Sequence, residues 1–398
     1  MIHYRFIERL FTVVDSLFFT PANCYLYRMT RTTVLIILIF MIRITPARSQ
    51  VNYLDKPDLL RKVDSCLQHT YRFSFSVAKK YQRELQKETP DHPAPYFLHA
   101  LIIYWENFPL TPEHDRSDQF IELMDRSVHL AGSYLVSEDT YLEGVFFDLF
   151  SRAFKAMYWA DNGKVTRVVP DLGTMYRHTM EGFRLKKKFS EFYFSSGLYN
   201  YYIEAYPDAH PVYKPLVSFM REGDKELGLV QLNKAIQHTI YLKVESILFM
   251  SLIQLHYEED MNTAALYAEK LYMNYPRNTY YQGHLIMILL HQERFRKVRK
   301  ILEKMDTQQS TYAAVVRETA TAFLTEKETD RLNLAREKYF RVIELAESIG
   351  PFADRFQAIA YMGLSRISER GGEGFEALRY RRKASRYTSF NFILNEKQ

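Results

Sequence analysis

The chain has 398 residues, 47% hydrophobic and 25% charged, so it carries enough apolar material for a large core and lies far from the composition of a disordered chain. Glycine and proline number 14 each against 30 tyrosines and 28 phenylalanines; few breakers and many large rings fit stacked helices and argue against a glycine-rich nucleotide-binding α/β fold. Two cysteines exclude a disulfide scaffold or a cysteine-based zinc site, and the formal charge of +6 has to be divided along the chain before it bears on anionic partners.

Residues 32–42, TTVLIILIFMI, form an apolar run well short of the ~20 residues that a bilayer-spanning helix needs. Arg28 and Arg31 precede it, and Thr45-Pro46-Ala47-Arg48-Ser49 follows with small residues where a signal peptidase reads. This pattern predicts a secretory signal peptide over 29–49, translation beginning at Met29 with residues 1–28 an upstream extension of the reading frame, and cleavage after Ser49. The mature chain then starts at Gln50, is exported to the periplasm or secreted, and has no integral membrane span. The alternative is an uncleaved inner-membrane anchor, helped by the apolar stretch Phe11–Phe19. Residues 1–49 hold six arginines against Glu8 and Asp15, a net of +4, so the mature chain is close to neutral at +2 and offers no electrostatic case for nucleic acid. Cys24 leaves with the leader, and Cys66 reads as a buried thiol.

The mature chain divides into an N-terminal helical region over 50–136, an irregular helical region over 137–222, regular helix pairs over 223–388 and a tail over 389–398. In Asn262–Asn278 the small Ala264 is followed seven residues later by Leu271 and twelve later by Pro276. Seven residues are two helical turns, so the small side chain and the leucine share one face, where a neighbouring helix approaches closely, and the proline ends the helix. The small-then-apolar pair recurs at Gly228 and Ala235, Ala335 and Val342, Ala377 and Ala384, and more weakly at Val298 and Met305; the first members step by 36, 34, 37 and 42 residues. Upstream, Ala78, Leu85 and Pro90 repeat the spacing, with Tyr96 and Ala100 opening the next helix. The loop Tyr206–Pro215 and the pair Gly371-Gly372 read as turns within one continuous stack, and Lys186-Lys187-Lys188 as a solvated helix face.

These residues resemble tetratricopeptide repeats, which implies an all-α fold of antiparallel helix pairs stacked in a right-handed superhelical solenoid. Leu252 and Ile286 depart from the family, which favours small residues there, and 138–222 lacks the signature. The series Gly197-Leu198-Tyr199-Asn200-Tyr201-Tyr202, Tyr206-Pro207 and Gly223-Asp224-Lys225-Glu226-Leu227-Gly228-Leu229 resembles exported bacterial tetratricopeptide proteins of unassigned function and, loosely, a fungal mitochondrial outer-membrane relative. That likeness implies a scaffold and no reaction.

The catalytic motifs G-x-S-x-G, H-E-x-x-H, G-x-G-x-x-G, the Walker loop and C-x-x-C are absent from the sequence. Ser76-Val77-Ala78-Lys79 has the S-x-x-K spacing, but S-D-N and K-T-G partners are missing. His284 and His291 stand two turns apart, too far for a usual helical zinc pair, and Glu258-Glu259-Asp260 reads as a solvated turn near a helix start. The rings Phe189, Phe192, Tyr193, Phe194, Tyr199, Tyr201, Tyr202, Tyr206 and Tyr213 read as core packing or as a surface for sugars or peptides.

In the repeat family the groove is lined by the first helix of each pair. Carried over, this places Ser246, Phe249, Ile253, His256 and Tyr257 from one unit and Tyr280, Gly283, Met287 and His291 from the next on or near the concave side. Asn200, Tyr201 and Tyr202, neighbours on one helix, complete the candidate binding residues. No metal, cofactor or catalytic residue is expected. The function expected is an exported, non-catalytic scaffold that binds a protein or extended peptide in its groove. The alternatives are an envelope glycan or small-ligand binder using the 189–213 aromatics, an enzyme on an α/α scaffold, and a purely structural spacer.

Overall fold

The computed structural model describes residues 51–307 and 310–395. The expected leader, its cleavage point and the last three residues lie outside them. Among the described residues there is no strand, and sixteen helices of ten residues or more follow one another as eight pairs. They are α1 (Pro57–Tyr71) and α2 (Phe75–Glu88), α3 (Ala94–Glu106) and α4 (Ser117–Tyr134), α5 (Tyr141–Asp161) and α6 (Val169–Leu185), and α7 (Phe192–Ala209) and α8 (Lys225–His238). After them come α9 (Lys243–His256) and α10 (Met261–Asn274), α11 (Thr279–His291) and α12 (Phe295–Lys304), α13 (Thr311–Glu328) and α14 (Leu332–Glu347), and α15 (Asp354–Arg370) and α16 (Gly374–Tyr387). Each helix packs on the next, so the chain is an all-α helical-repeat solenoid.

Local chemistry sets the boundaries. Asp224, Asp260, Asn278 and Ser310 accept from backbone N–H groups at the starts of α8, α10, α11 and α13. Between α15 and α16, Gly372 takes a left-handed φ of 77° and the Glu373 N–H returns to the Ser368 carbonyl at 2.8 Å, a turn that only glycine adopts without strain. The loop expected to open at Tyr206 starts later. Helix α7 runs through Pro207 to Ala209, because the ring sits within a turn of the helix end, where few intrahelical bonds remain to be broken.

Every small residue of the repeat signature is buried on the second helix of its pair: Ala78, Gly228, Ala264, Ala335 and Ala377. The approach is close enough to need them. A Cβ on Gly228 would stand 2.7 Å from the Tyr201 backbone nitrogen, and one on Gly197 would stand 3.1 Å from the Gly228 carbonyl oxygen. A further register element is invisible in composition. Cys66 Sγ donates to the Ala78 carbonyl at 3.4 Å, Ser251 Oγ to that of Ala264 at 2.8 Å and Ser365 Oγ to that of Ala377 at 2.8 Å. One small donor on the first helix thus ties three repeats at the same place.

The first helices form an inner row and the second helices an outer layer. Along the row α1 meets α3, α3 meets α5, α11 meets α13 and α13 meets α15, while ring contacts join α5 to α7 and α7 to α9, and Ser251 and His284 join α9 to α11. The sequence difference follows: α11 is buried over Thr279–Leu290, whereas in α12 Val298, Ile301 and Leu302 are buried beneath a basic outer face. The row also curls onto itself. Tyr71 donates to Glu245, Asn278 Nδ2 to the Tyr71 carbonyl at 3.3 Å and Tyr275 Oη to Gln68 at 3.1 Å, while Trp105 lies against Tyr280 and Phe108 against Phe352. The C-terminal ends of α1 and α3, with Phe108, therefore pack against residues of α9, of the α10–α11 connection and of α11, and against Phe352.

Candidate functional site

That closure decides where the expected groove residues lie. Ser246, Phe249, Ile253, Tyr280 and Met287 are buried, and Phe249 packs edge-on against Phe194 at 5.5 Å. Tyr280 stands among Trp105, Phe108 and Tyr312. These positions are packed interior in the structure, and around Tyr280 it is Trp105 at the end of α3 and Phe108 just after it that fill the space.

The second candidate group is also core. Asn200 Nδ2 donates to Gln231 at 3.0 Å, and Tyr201, Tyr202 and Tyr257 meet in a triangle of edge-on rings. Tyr201 Oη donates to Glu258, which also pairs with Lys225 at 2.8 Å; burial, with Glu258 beside it, raises the Tyr201 pKa. Phe189, Phe192, Phe194, Tyr201, Tyr202 and Tyr206 are buried, which removes them as a ready surface for sugars. They fill seams between α5, α7, α8 and α9.

His256 and His291 remain half-buried at the C-terminal ends of α9 and α11. Both are covered by the chain's own C-terminal segment. Phe390 lies on the His256 ring, Phe392 meets the His291 ring edge-on at 4.9 Å, and Asn391 Nδ2 donates to Glu259 at 2.9 Å. His291 Nδ1 donates back to the Met287 carbonyl at 2.8 Å, which fixes the ring. Burial depresses the His256 pKa well below that of an ordinary histidine, with the Arg355 charge adding to the effect. Between the segment and Leu255, His256, Glu259 and Met261 lies a cavity of about 310 Å³.

The remaining sequence candidates have local roles. His284 Nε2 and Ser251 Oγ stand 2.8 Å apart within the interior, so His284 and His291 face different surroundings. Asp260 caps α10, and Lys79 Nζ pairs with Glu106 at 2.6 Å. Lys187 and Lys188 are exposed. Among the described residues no group of three His, Cys, Asp or Glu side chains is placed to hold a metal ion, and no helix is long and apolar enough to cross a membrane.

Buried charges were missed by sequence reasoning, since an isolated acid or arginine in an apolar helix carries no pattern. Glu191 accepts the N–H groups of Ile240, Tyr241 and Leu242 ahead of α9, and burial pushes its pKa up to about 7 against those bonds. Glu245, which accepts from Tyr71, is likewise pushed up to about 7 by burial. Glu326 takes both Nε and Nη2 of Arg366 at 2.7 Å and the Tyr339 hydroxyl at 2.6 Å; these partners outweigh burial and lower its pKa.

Compared with family models, curated proteins and solved structures, the chain matches none.

Proposed function

We propose that this chain is a non-catalytic binding protein of the tetratricopeptide-repeat kind, exported as its leader pattern implies. It takes a short aromatic-bearing segment of a protein partner across the C-terminal ends of α9 and α11. The observation that carries this reading is the seating of Phe390 and Phe392 on His256 and His291, with Asn391 bonded to Glu259. Two rings two residues apart, each on its own histidine, with a side-chain amide between them, give affinity and register together. The packed interior supports the same place, because it leaves the rim of the row rather than its centre for a partner.

A fluorescent peptide of sequence 388–398 is the test probe, titrated against the chain ending at Tyr387. Saturable binding is expected, weakened about tenfold by His256→Ala and by His291→Ala as each removes one ring contact. Absence of binding at millimolar peptide, or equal affinity for a peptide with both phenylalanines replaced by alanine, overturns the reading.

A further inference from the structure

Arg355 is 1% exposed and has no carboxylate partner; its Nη1 and Nη2 make no close hydrogen bond, and the hydroxyls of Tyr280 and Tyr312 are the polar groups that face it. Its guanidinium stands over the Tyr280 ring, 5.8 Å from the centroid. The Tyr312 hydroxyl, with Arg355 as its nearest polar neighbour, approaches Gly283, where a Cβ would come within 3.0 Å of it. Phe108 packs edge-on against both Tyr280 and Tyr312, at 5.6 and 5.1 Å. The wall around this cation is therefore aromatic, with hydroxyl donors at its edge.

A buried charge with hydroxyl neighbours but no counter-ion is costly, and replacing it with an apolar side chain is ordinarily favourable. A guanidinium held in this way presents two parallel N–H donors, the arrangement that matches a carboxylate in a planar, bidentate pair. Charge balance also selects among anions. One carboxylate neutralises one guanidinium, whereas a phosphate dianion would leave a net negative charge in a ring-lined site. We propose that Arg355, with the Tyr312 hydroxyl, is the anchor of a binding site for the carboxylate of a small ligand with an apolar or aromatic body.

The proposed access is on the side of the C-terminal segment. His256 lines the cavity there and lies close enough to Arg355 for the guanidinium to oppose its protonation. The carboxylate comes either from a free aromatic acid or from the carboxyl end of a peptide. This inference stands apart from the peptide site on His256 and His291, and neither requires the other.

The test uses the full chain, with benzoate as the first probe. Trp105, 6.1 Å from Tyr280, supplies a fluorescence signal beside the site. Benzoate is expected to raise the melting temperature and to change the tryptophan emission saturably. Arg355→Met is expected to melt above the unliganded parent and to bind benzoate at least tenfold more weakly, and Arg355→Lys, which keeps the charge without the fork, is expected to weaken binding as well. Comparison of N-acetylphenylalanine with its amide assigns the source: a response to the free acid alone that exceeds the benzoate response points to a peptide terminus, and a stronger benzoate response points to a free acid. The proposal is overturned if Arg355→Met melts below the parent, if benzoate stabilises that variant as much as the parent, or if inorganic phosphate at matched ionic strength does as well as benzoate.

Discussion

Helix α15 buries two arginines eleven residues apart, and its two ends treat them in opposite ways. Arg366 is 2% exposed and fully engaged: Glu326 from α13 takes it in a bidentate pair, and Tyr339 from α14 holds the same carboxylate. Gly363 makes room, since a Cβ there would fall 2.2 Å from the Tyr339 ring. Arg355, about 16 Å away by helix rise, is buried as deeply with no carboxylate beside it, only the face of Tyr280 and the Tyr280 and Tyr312 hydroxyls. The distal end of the helix is complete as built, linking three helices through one charge. The proximal end lies in the aromatic interior where the early and late pairs meet, and its cation lacks a counter-charge. Burial by itself therefore does not distinguish a structural arginine from one that awaits a ligand; the state of its donors does.

The largest expected effect comes from breaking the complete end. Arg366→Met leaves Glu326 buried with Tyr339 as its main donor, and a loss of about 3–5 kcal/mol is expected in denaturant unfolding. The double substitution Glu326→Gln with Arg366→Met should recover much of it, because no uncompensated charge remains. Arg355→Met has the opposite expected sign. If both arginine substitutions destabilise alike, the contrast between the two ends of α15 is wrong.

A smaller effect separates two buried carboxyls by the same logic. Glu326, held ionised by Arg366, contributes stability above the unfolded glutamate pKa, which is lost as pH falls through its lowered folded value. Glu245 has no cation partner, and its folded pKa is pushed up to about 7 from an ordinary 4.5. Its contribution is complete below about pH 4.5, is lost as pH rises through about 7 and is absent above. His92 and His256, whose pKa values burial lowers, act in the opposite sense over part of that range, so the informative quantity is the difference between variants. Glu245→Gln is expected to match the parent near pH 4 and to exceed it by about 2–3 kcal/mol near pH 8. A constant difference across that range would show that Glu245 does not gain a proton on folding.

The repeat was legible in the sequence because it is written in residues that cannot be exchanged freely. A small side chain at a close crossing and an apolar one two turns on leave a spacing that survives without knowledge of the partner helix, and Ala78, Gly228, Ala264, Ala335 and Ala377 mark second helices in the structure as well. The groove was less legible. Which face of the first helices is open depends on whether the solenoid curls enough for distant pairs to meet, and contacts such as Tyr71 with Glu245 join residues 174 apart with no local signature. The buried arginines leave still less trace. Arg355 and Arg366 look alike in sequence, and only the positions of Glu326 and Tyr339 tell them apart.

The smallest expected effect concerns the residue just before Arg366. Ser365 ties α15 to the Ala377 carbonyl, and Cys66 makes the same tie from α1 to Ala78 with a weaker thiol donor at longer range. Burial pushes the Cys66 pKa up to about 12, so the thiol stays protonated and inert at neutral pH. Cys66→Ser supplies the donor that two other repeats use at that place, and its effect on stability is expected to be within about 1 kcal/mol. Cys66→Val removes the donor and adds a branch at a close crossing, with an expected loss of about 1–3 kcal/mol. If serine proves as damaging as valine, the three donors are not equivalent and the shared register of the repeats fails at α1.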